Sequence, residues 1–473
     1  MLSNLLSSRP ALEQTHRNGR IVRDRDRAVV IGASIAGLCA ARVLSDHFRE
    51  VVVVERDALV DAVQHRRGVP QGHHAHGLLA GGLRALKALF PGLPDELESA
   101  GAVRCNVTRD SYWFFEGGQH LRFESDLEAF GLSRPLLEGT IRKRVRQIAN
   151  VHFCDGCHVE GLLATFDNRC VIGIDLGDSA MPADLVVDAT GRGSRSPEWL
   201  EALGYGKPEE KRVEIDISYA TRLFLRSRHD LNGAVFASIP PNPQTRKGGV
   251  IAAQEGDVWI ITLNAVGGTA VPTELNAFIE SARNLPAPYI HEVISRAKPV
   301  GEPRATRFPA SIRRRYEQMN SFPEGFLVMG DALSSFNPVY AQGMSVAALE
   351  AIELNTMLIE DGPRLAQRFF RRAAKIIDTP WRITTANDLR ISGIGGPQGL
   401  IDRFVNWYIA ELHVGARTDA RMVTAFHQVT NLLAPPQGLL KPRLVARVLS
   451  MAWSREVARN RASRLEAASR GAF

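Results

Sequence analysis

Two glycine-bearing turns, each set between an apolar strand and a helix, are where this chain could do chemistry. Residues 28 to 57, AVVIGASIAGLCAARVLSDHFREVVVVERD, run as strand, turn, small-residue helix, second strand and carboxylate. Gly32 permits the tight turn, Ser34 stands at the middle glycine of G-x-G-x-x-G, and Ala36 and Gly37 let the helix lie close on the sheet. Free N–H groups at the helix start suit a pyrophosphate, and Glu55, followed by Arg56, suits a ribose diol. This is a dinucleotide-binding βαβ unit. Residues 325 to 358, GFLVMGDALSSFNPVYAQGMSVAALEAIELNTML, form the second turn. There a buried strand ends in Gly330-Asp331, a loop carries Asn337-Pro338 and Tyr340, and Gly343-Met344 opens a long helix.

Other reactive side chains point to less. His73, His74 and His76 have no carboxylate or cysteine at ligand spacing, so no metal is expected. His76 reads as a proton shuttle or as a structural hydrogen-bonding residue. Cys154-Asp155-Gly156-Cys157 has redox spacing, yet Asp155-Gly156 reads as a turn between strands, and the pair is expected to be incidental. No Ser-His-Asp or Cys-His nucleophile pattern is present.

The elements that must position these residues follow from periodicity. Leucines at three- and four-residue intervals in LLAGGLRALKALF predict a helix stopping at Pro91-Gly92. Residues 111 to 123 predict a hairpin around Gly117-Gly118, and a helix begins near Ser133-Arg134-Pro135. VHFC, HVEGLLATF and CVIGIDL read as a meander leading to the buried strand ADLVVDATG. Period-two alternation from 211 to 266 predicts an antiparallel sheet. Beyond about 376 the chain reads as mostly helical, broken at Gly395-Gly396-Pro397 and Pro435-Pro436.

At 473 residues and 45% hydrophobic, the chain can build two or three domains with full cores. Its formal charge of +7 comes from scattered basic residues with local clusters, and no basic stripe interleaved with aromatics is present, which argues against a nucleic-acid partner. Five cysteines without a repeated spacing fit a reducing cytoplasm. Neither a signal peptide nor a membrane span is expected.

The two turns together strongly resemble the single-component FAD-dependent monooxygenases, the aromatic hydroxylase and squalene epoxidase group. RRGVPQGHHAH, SRPLLEGTIR, VVDATGRGSRSPEWL, RRRYE and GDALSSFNPVYAQGMSVAALEA narrow the resemblance to bacterial flavin epoxidases of polyether biosynthesis, over residues 28 to about 375. It implies an α/β fold with a Rossmann-like FAD-binding domain of glutathione-reductase type, an antiparallel-sheet substrate domain and a helical C-terminal region. The expected division is a flexible arm at 1–24, a discontinuous FAD domain at 25–205 and 300–375 with a hairpin insert at 96–130, a substrate domain at 206–299, and helices at 376–473.

The same resemblance assigns roles. Asp331 accepts a ribityl hydroxyl, Gly343 and Met344 face the flavin N1/C2 carbonyl, Arg66 lies along the phosphate and ribityl chain, and Val69 meets the pyrimidine edge. Arg134 contacts FAD or is a solvated surface charge. Asn337, Pro338 and Tyr340 wall the flavin or belong to the core. FAD is expected to be held non-covalently, with NAD(P)H as co-substrate, although Asp188-Ala189-Thr190-Gly191 departs from the family's Asp-Gly element and no second complete glycine fingerprint is present. The implied reaction uses O2, activated at flavin C4a, to epoxidise or hydroxylate a small apolar alkene such as a polyene or polyketide. A flavin reductase of prenyl chains and a non-catalytic FAD redox sensor are the alternatives. A halogenase is disfavoured by the missing Trp-rich motif.

Overall fold

The computed structural model describes residues 25–60, 63–392 and 399–470. The arm at 1–24 and the Gly395-Gly396-Pro397 break lie outside the described residues.

Valine-rich runs that are buried on both faces make parallel strands, and the first sheet is wholly parallel. Its order is Phe326–Val328, Leu185–Asp188, Arg27–Ile31, Glu50–Glu55, Val151–Asp155. The two glycine turns therefore leave the carboxyl ends of strands in the same sheet, where such folds bind nucleotides. Gly32 needs its positive φ of 103°, and a side chain there would lie 2.7 Å from the Ala189 carbonyl oxygen. A Cβ on Gly37 would overlap the Gly32 carbonyl, so helix Ile35–Leu44 can approach this closely only with glycine there.

VHFC is not the start of a meander. Val151–Asp155 is the edge strand of the parallel sheet, in register Val51↔Val151, whereas Gly161–Ala164, Val171–Asp175 and Ala180–Pro182 form a separate three-stranded sheet. Short apolar runs alternate alike in both settings, so periodicity could not separate them. The Asp155-Gly156 turn forms as expected, but it brings Cys154 and Cys157 together as a disulfide, correcting the reading of an incidental pair. Gly156 at φ +71° reverses the chain and leaves the Cα atoms 6.2 Å apart, within bridging range.

The second large sheet has eight strands, in the order Ser334–Ser335, Pro299–Arg314, Glu210–Leu225, Val258–Val266, Lys247–Gln254, Phe236–Ile239, Ser111–Phe115, Gly118–Gln119. It is antiparallel except where Phe236–Ile239 meets Ser111–Phe115. The sheet is thus wider than residues 206–299, since it recruits the 111–119 hairpin on one side and the 16-residue strand Pro299–Arg314 on the other.

Helix Gly343–Glu360 is buried almost all round between Ile35–Leu44, Ala80–Leu89 and Leu365–Ser392, which suits its lack of a polar face. Leu365–Ser392 runs through position 376 as one helix with Pro380 inside it. Helices Leu400–Gly415, Ala420–Thr430 and Pro442–Arg470 gather around Tyr408, Leu412, Met422 and Val448. No helix among the described residues is long and apolar enough to cross a membrane.

Candidate functional site

The first turn supplies a charged cleft. The ladder of helix Ile35–Leu44 begins with Leu38 N–H on Ser34 O at 2.9 Å, so the amides before it stay outside the ladder. Glu55, buried at the end of its strand, accepts from Ala33 N (2.8 Å) and Asp57 N (3.1 Å) and pairs with Arg66 Nη1 at 3.1 Å. Arg56 beside it is exposed. Ser34, which replaces the middle glycine, donates to Glu138 Oε2 (2.8 Å) and accepts from Arg134 Nη2 (2.8 Å). Arg66 reaches the other Glu138 oxygen through Nε at 2.8 Å. Arg134 is therefore no surface charge: it is buried, on a helix capped by Ser133, which accepts from Leu136 N.

Glu138 went unremarked in the sequence although it stands one helical turn after Arg134. Burial raises its carboxyl and the flanking Arg134 and Arg66 guanidiniums pull it down, leaving it below the ordinary value. Val69 is buried at the cleft, and its N–H and C=O are already used in the turn, by Arg66 O (3.2 Å) and Gly72 N (2.9 Å). Its carbonyl keeps a second lone pair beyond the turn's hydrogen bond.

The second turn lies against the first. Gly330, at φ +68°, packs on Ala36, and a Cβ there would come within 2.7 Å of the Ala36 Cβ. Among the described residues, no group hydrogen-bonds the half-buried Asp331 carboxylate. Burial raises its pKa, and Arg134 and Arg192 lower it. Gly343 lies close against the carboxylate, where a Cβ would stand 3.2 Å from Asp331 Oδ1. The helix ladder starts at Val346 N–H on Gln342 O (3.0 Å), so the Gly343 and Met344 amides are not consumed by it. Under the turn, Glu350 accepts from Gly330 N at 2.7 Å, while burial pushes its pKa up to about 8. Nothing in the sequence marked it, since it falls within an apolar helix.

Between these turns and the eight-stranded sheet lies a cavity of about 1030 Å³. Ligand pockets usually span ~300–1,000 Å³, so it has room for more than one small molecule. His74, His76, Pro338, Tyr340 and Gln342 line the end near the glycine turns, and Trp113, Phe115, His413 and Phe426 the far end. His74 Nδ1 shares a hydrogen bond with Thr221 Oγ1 at 2.8 Å, and Ala75 N donates to Thr262 Oγ1 at 2.9 Å, which pins the histidine loop to the sheet. His76 Nδ1 donates to His74 O at 2.7 Å, and burial with Arg134 nearby pushes its pKa down to about 3. Both His74, at about 4, and His76 are therefore neutral near pH 7. His76 makes the structural hydrogen bond, which leaves Nε2 as a weak base. His73 stacks on His65.

Asn337 is buried and Pro338 exposed. Asn337 Oδ1 accepts from Tyr219 OH (2.8 Å) and Val339 N (3.1 Å), and its Nδ2 donates to Asp388 Oδ1 (3.0 Å). Tyr340 OH donates to that same oxygen at 3.0 Å. Asp388, on helix Leu365–Ser392, is buried, and burial pushes its pKa up to about 6 against those two hydrogen bonds. Asp188, where the fingerprint departs, is consumed locally by Thr190, Ser194 and Ser196. No cluster of three or more His, Cys, Asp or Glu among the described residues could hold a metal ion.

Protein Rv3254 of Mycobacterium tuberculosis is 35% identical over 389 residues, covering 78% of this chain and 82% of the relative. The chain belongs to the Rv3254 family. No family model matches it. Kynurenine 3-monooxygenase of Salinispora tropica is 26% identical over 364 residues, 71% of this chain and 73% of the enzyme. The solved flavin-dependent brominase Bmp2 superposes with a TM-score of 0.63 at 13% identity, over 92% of this chain and 99% of its own. This chain thus shares the fold of these flavin-dependent enzymes. The Rossmann-like parallel core, antiparallel sheet and C-terminal helices are those expected from the sequence. The narrower likeness to polyether epoxidases finds no counterpart among these relatives.

Proposed function

We propose that this protein is an FAD-dependent monooxygenase that takes reducing equivalents from NAD(P)H and inserts one oxygen atom from O2 into a small apolar substrate, by epoxidation of an alkene such as a polyene or polyketide. One observation carries the reading: the unpartnered Asp331 carboxylate stands beside Gly343, whose amide with that of Met344 is outside the helix ladder, Gly330 packs on Ala36 of the dinucleotide turn, and the adjoining Gln342 lines an apolar cavity of about 1030 Å³. The residues fit FAD. The amides ahead of Leu38 stay outside the helix ladder, Arg66 and Arg134 reach Ala33 O and Ser34 Oγ beside them, and Asp331 offers an acceptor to a polyol.

When bound, FAD supplies the redox chemistry, accepting hydride from the nicotinamide and activating O2. The chain binds, orients and shields. Glu55 and Asp331 accept from ribose and ribityl hydroxyls. The Gly343 and Met344 amides, at the positive end of a helix, stabilise negative charge on the carbonyl edge of the ring without moving. Asn337 and Tyr340, locked by Asp388 and Tyr219, hold the wall beside the ring. The apolar sheet face excludes water from the reacting carbon. His74 and His76, both neutral, place no charge in the chamber.

The test is purified protein with NADPH, an apolar polyene and ¹⁸O2. Heat-released cofactor should comigrate with FAD, and the product should gain one labelled oxygen. A hydrogenated, unlabelled product would establish a reductase. Because the brominase shares the fold, the reaction is repeated with bromide, and a brominated product would displace oxygen insertion. FAD bound but inert to every reductant would leave the redox-sensor reading.

A further inference from the structure

The cavity reaches the surface through apolar residues. Phe404, Val405 and Leu440 line it and are also exposed. They belong to a concentration: among the described residues fourteen large hydrophobics are exposed, and eight of them lie between 400 and 453. These include Leu400 at 81%, Ile401 at 78% and Trp453 at 73% exposure. Leu400, Ile401, Phe404, Val405, Tyr408 and Leu412 recur at helical spacing along one stripe of Leu400–Gly415. Tyr408 and Leu412 are buried in the C-terminal cluster, whereas the first two turns of the same stripe run out past it, uncovered.

Charge is distributed to match. Residues 399–473 hold eleven Lys and Arg against five Asp and Glu, so they carry six of the seven excess positive charges and leave the rest of the chain near neutral. Arg403, Lys441 and Arg443 are exposed next to Phe404 and Leu440 in the chain. Large aliphatic and Trp side chains flanked by cations are what a helix lying in the headgroup layer of an anionic bilayer presents. A second copy on this face would set two surfaces of like charge together. A folded acidic partner would be met by charge at the contact centre, where here the side chains are apolar.

We propose that the C-terminal helices dock this protein peripherally on an anionic lipid bilayer, with Leu400, Ile401, Phe404, Trp407 and Trp453 in the headgroup boundary and the cavity mouth opening toward the acyl chains. An apolar substrate then passes from lipid to cavity without crossing water. This last step rests on reading the cavity as the substrate chamber, but docking needs neither flavin nor turnover.

The experiment is co-flotation of the full-length holoprotein with vesicles of phosphatidylcholine alone or mixed equally with phosphatidylglycerol. Binding should require phosphatidylglycerol and weaken with salt. Phe404→Ser and Trp453→Ser should each lower partitioning about tenfold, and Lys441→Glu with Arg443→Glu should abolish the preference for anionic lipid, all with unchanged melting temperature. Should a variant fail to fold, native Trp fluorescence reports instead: brominated acyl chains should quench it only in anionic vesicles. Absence of flotation or quenching overturns the proposal. So does binding indifferent to Phe404→Ser and Trp453→Ser, which would be charge alone, a dimer that Phe404→Ser dissolves, or saturable binding to an acidic carrier protein but not to vesicles. Product formation is assayed separately, so a protein that floats yet oxidises nothing overturns the activity and not the docking.

Discussion

Asp331 is the residue on which cofactor affinity should turn, since its carboxylate has no partner among the described residues. Asp331→Ala should weaken FAD binding by about 1.5–3 kcal/mol, the worth of a charged hydrogen bond, as read by flavin fluorescence titration. Unchanged affinity would place the cofactor elsewhere. Glu350 makes the complementary case, a group that holds the turn from below. Its value in the fold, about 8, lies above the ordinary 4.5, so the stability it contributes is full below pH 4.5 and is lost as pH rises through 8. Glu350→Gln keeps a neutral acceptor for Gly330 N. It should therefore gain stability relative to the parent as pH rises through that window, by up to several kcal/mol, on the order of ~1.4 per pKa unit. Parallel melting curves across pH for the two proteins check this.

At the scale of elements, the Asn337–Tyr340 loop is only as fixed as the helix behind it. Asp388→Ala should strand Asn337 Nδ2 and Tyr340 OH, costing ~1–3 kcal/mol for each buried group left unpaired. Because the hydrogen bonds of Asp388 go to Asn337 and Tyr340 and not to the glycine turns, FAD affinity should hold while substrate KM rises, and Asp388→Asn, which keeps an acceptor, should restore KM. With its folded value raised to about 6, the stability Asp388 contributes is present below pH 3.8 and lost as pH rises through 6, a loss the Asn variant should not show. Equal KM in the parent and the Ala variant would remove Asp388 from the positioning of the loop. The first helix allows no such latitude. Gly37→Ala should yield no soluble holoprotein, because the new methyl would occupy the Gly32 carbonyl.

For the whole molecule the cavity is the feature that the eight-stranded sheet, the strand pair Val103–Asn106 and Glu128–Gly131, and the C-terminal helices build jointly. Ser238, on its sheet wall, is remote in sequence from both glycine turns. Ser238→Trp should leave FAD bound and NADPH oxidation running while product falls and H2O2 rises, since the large side chain displaces substrate but not cofactor. Product yield unchanged at equal FAD content would mean that substrate binds outside this cavity.

Local demands were legible because they are met by neighbours in the chain. The strand that precedes Gly32, the positive φ at Gly32 and Gly330 and the Ser133 cap on the Arg134 helix each answer a conformational or hydrogen-bonding need within a few residues. The same pattern could not say whether Val151–Asp155 joins a parallel or an antiparallel sheet, since this edge strand buries only Val151 fully and lacks the continuous burial of the strands inside the sheet. Nor could it say that the hairpin at 111 would extend a sheet begun a hundred residues later. Only the tertiary structure decided that Arg66, Arg134, Ser34 and Glu55 share Glu138's cleft, and that Asp388, 51 residues from Asn337, governs the wall of the cavity. A buried carboxylate chooses its partners by what burial leaves nearby, and burial is a property of the packed molecule.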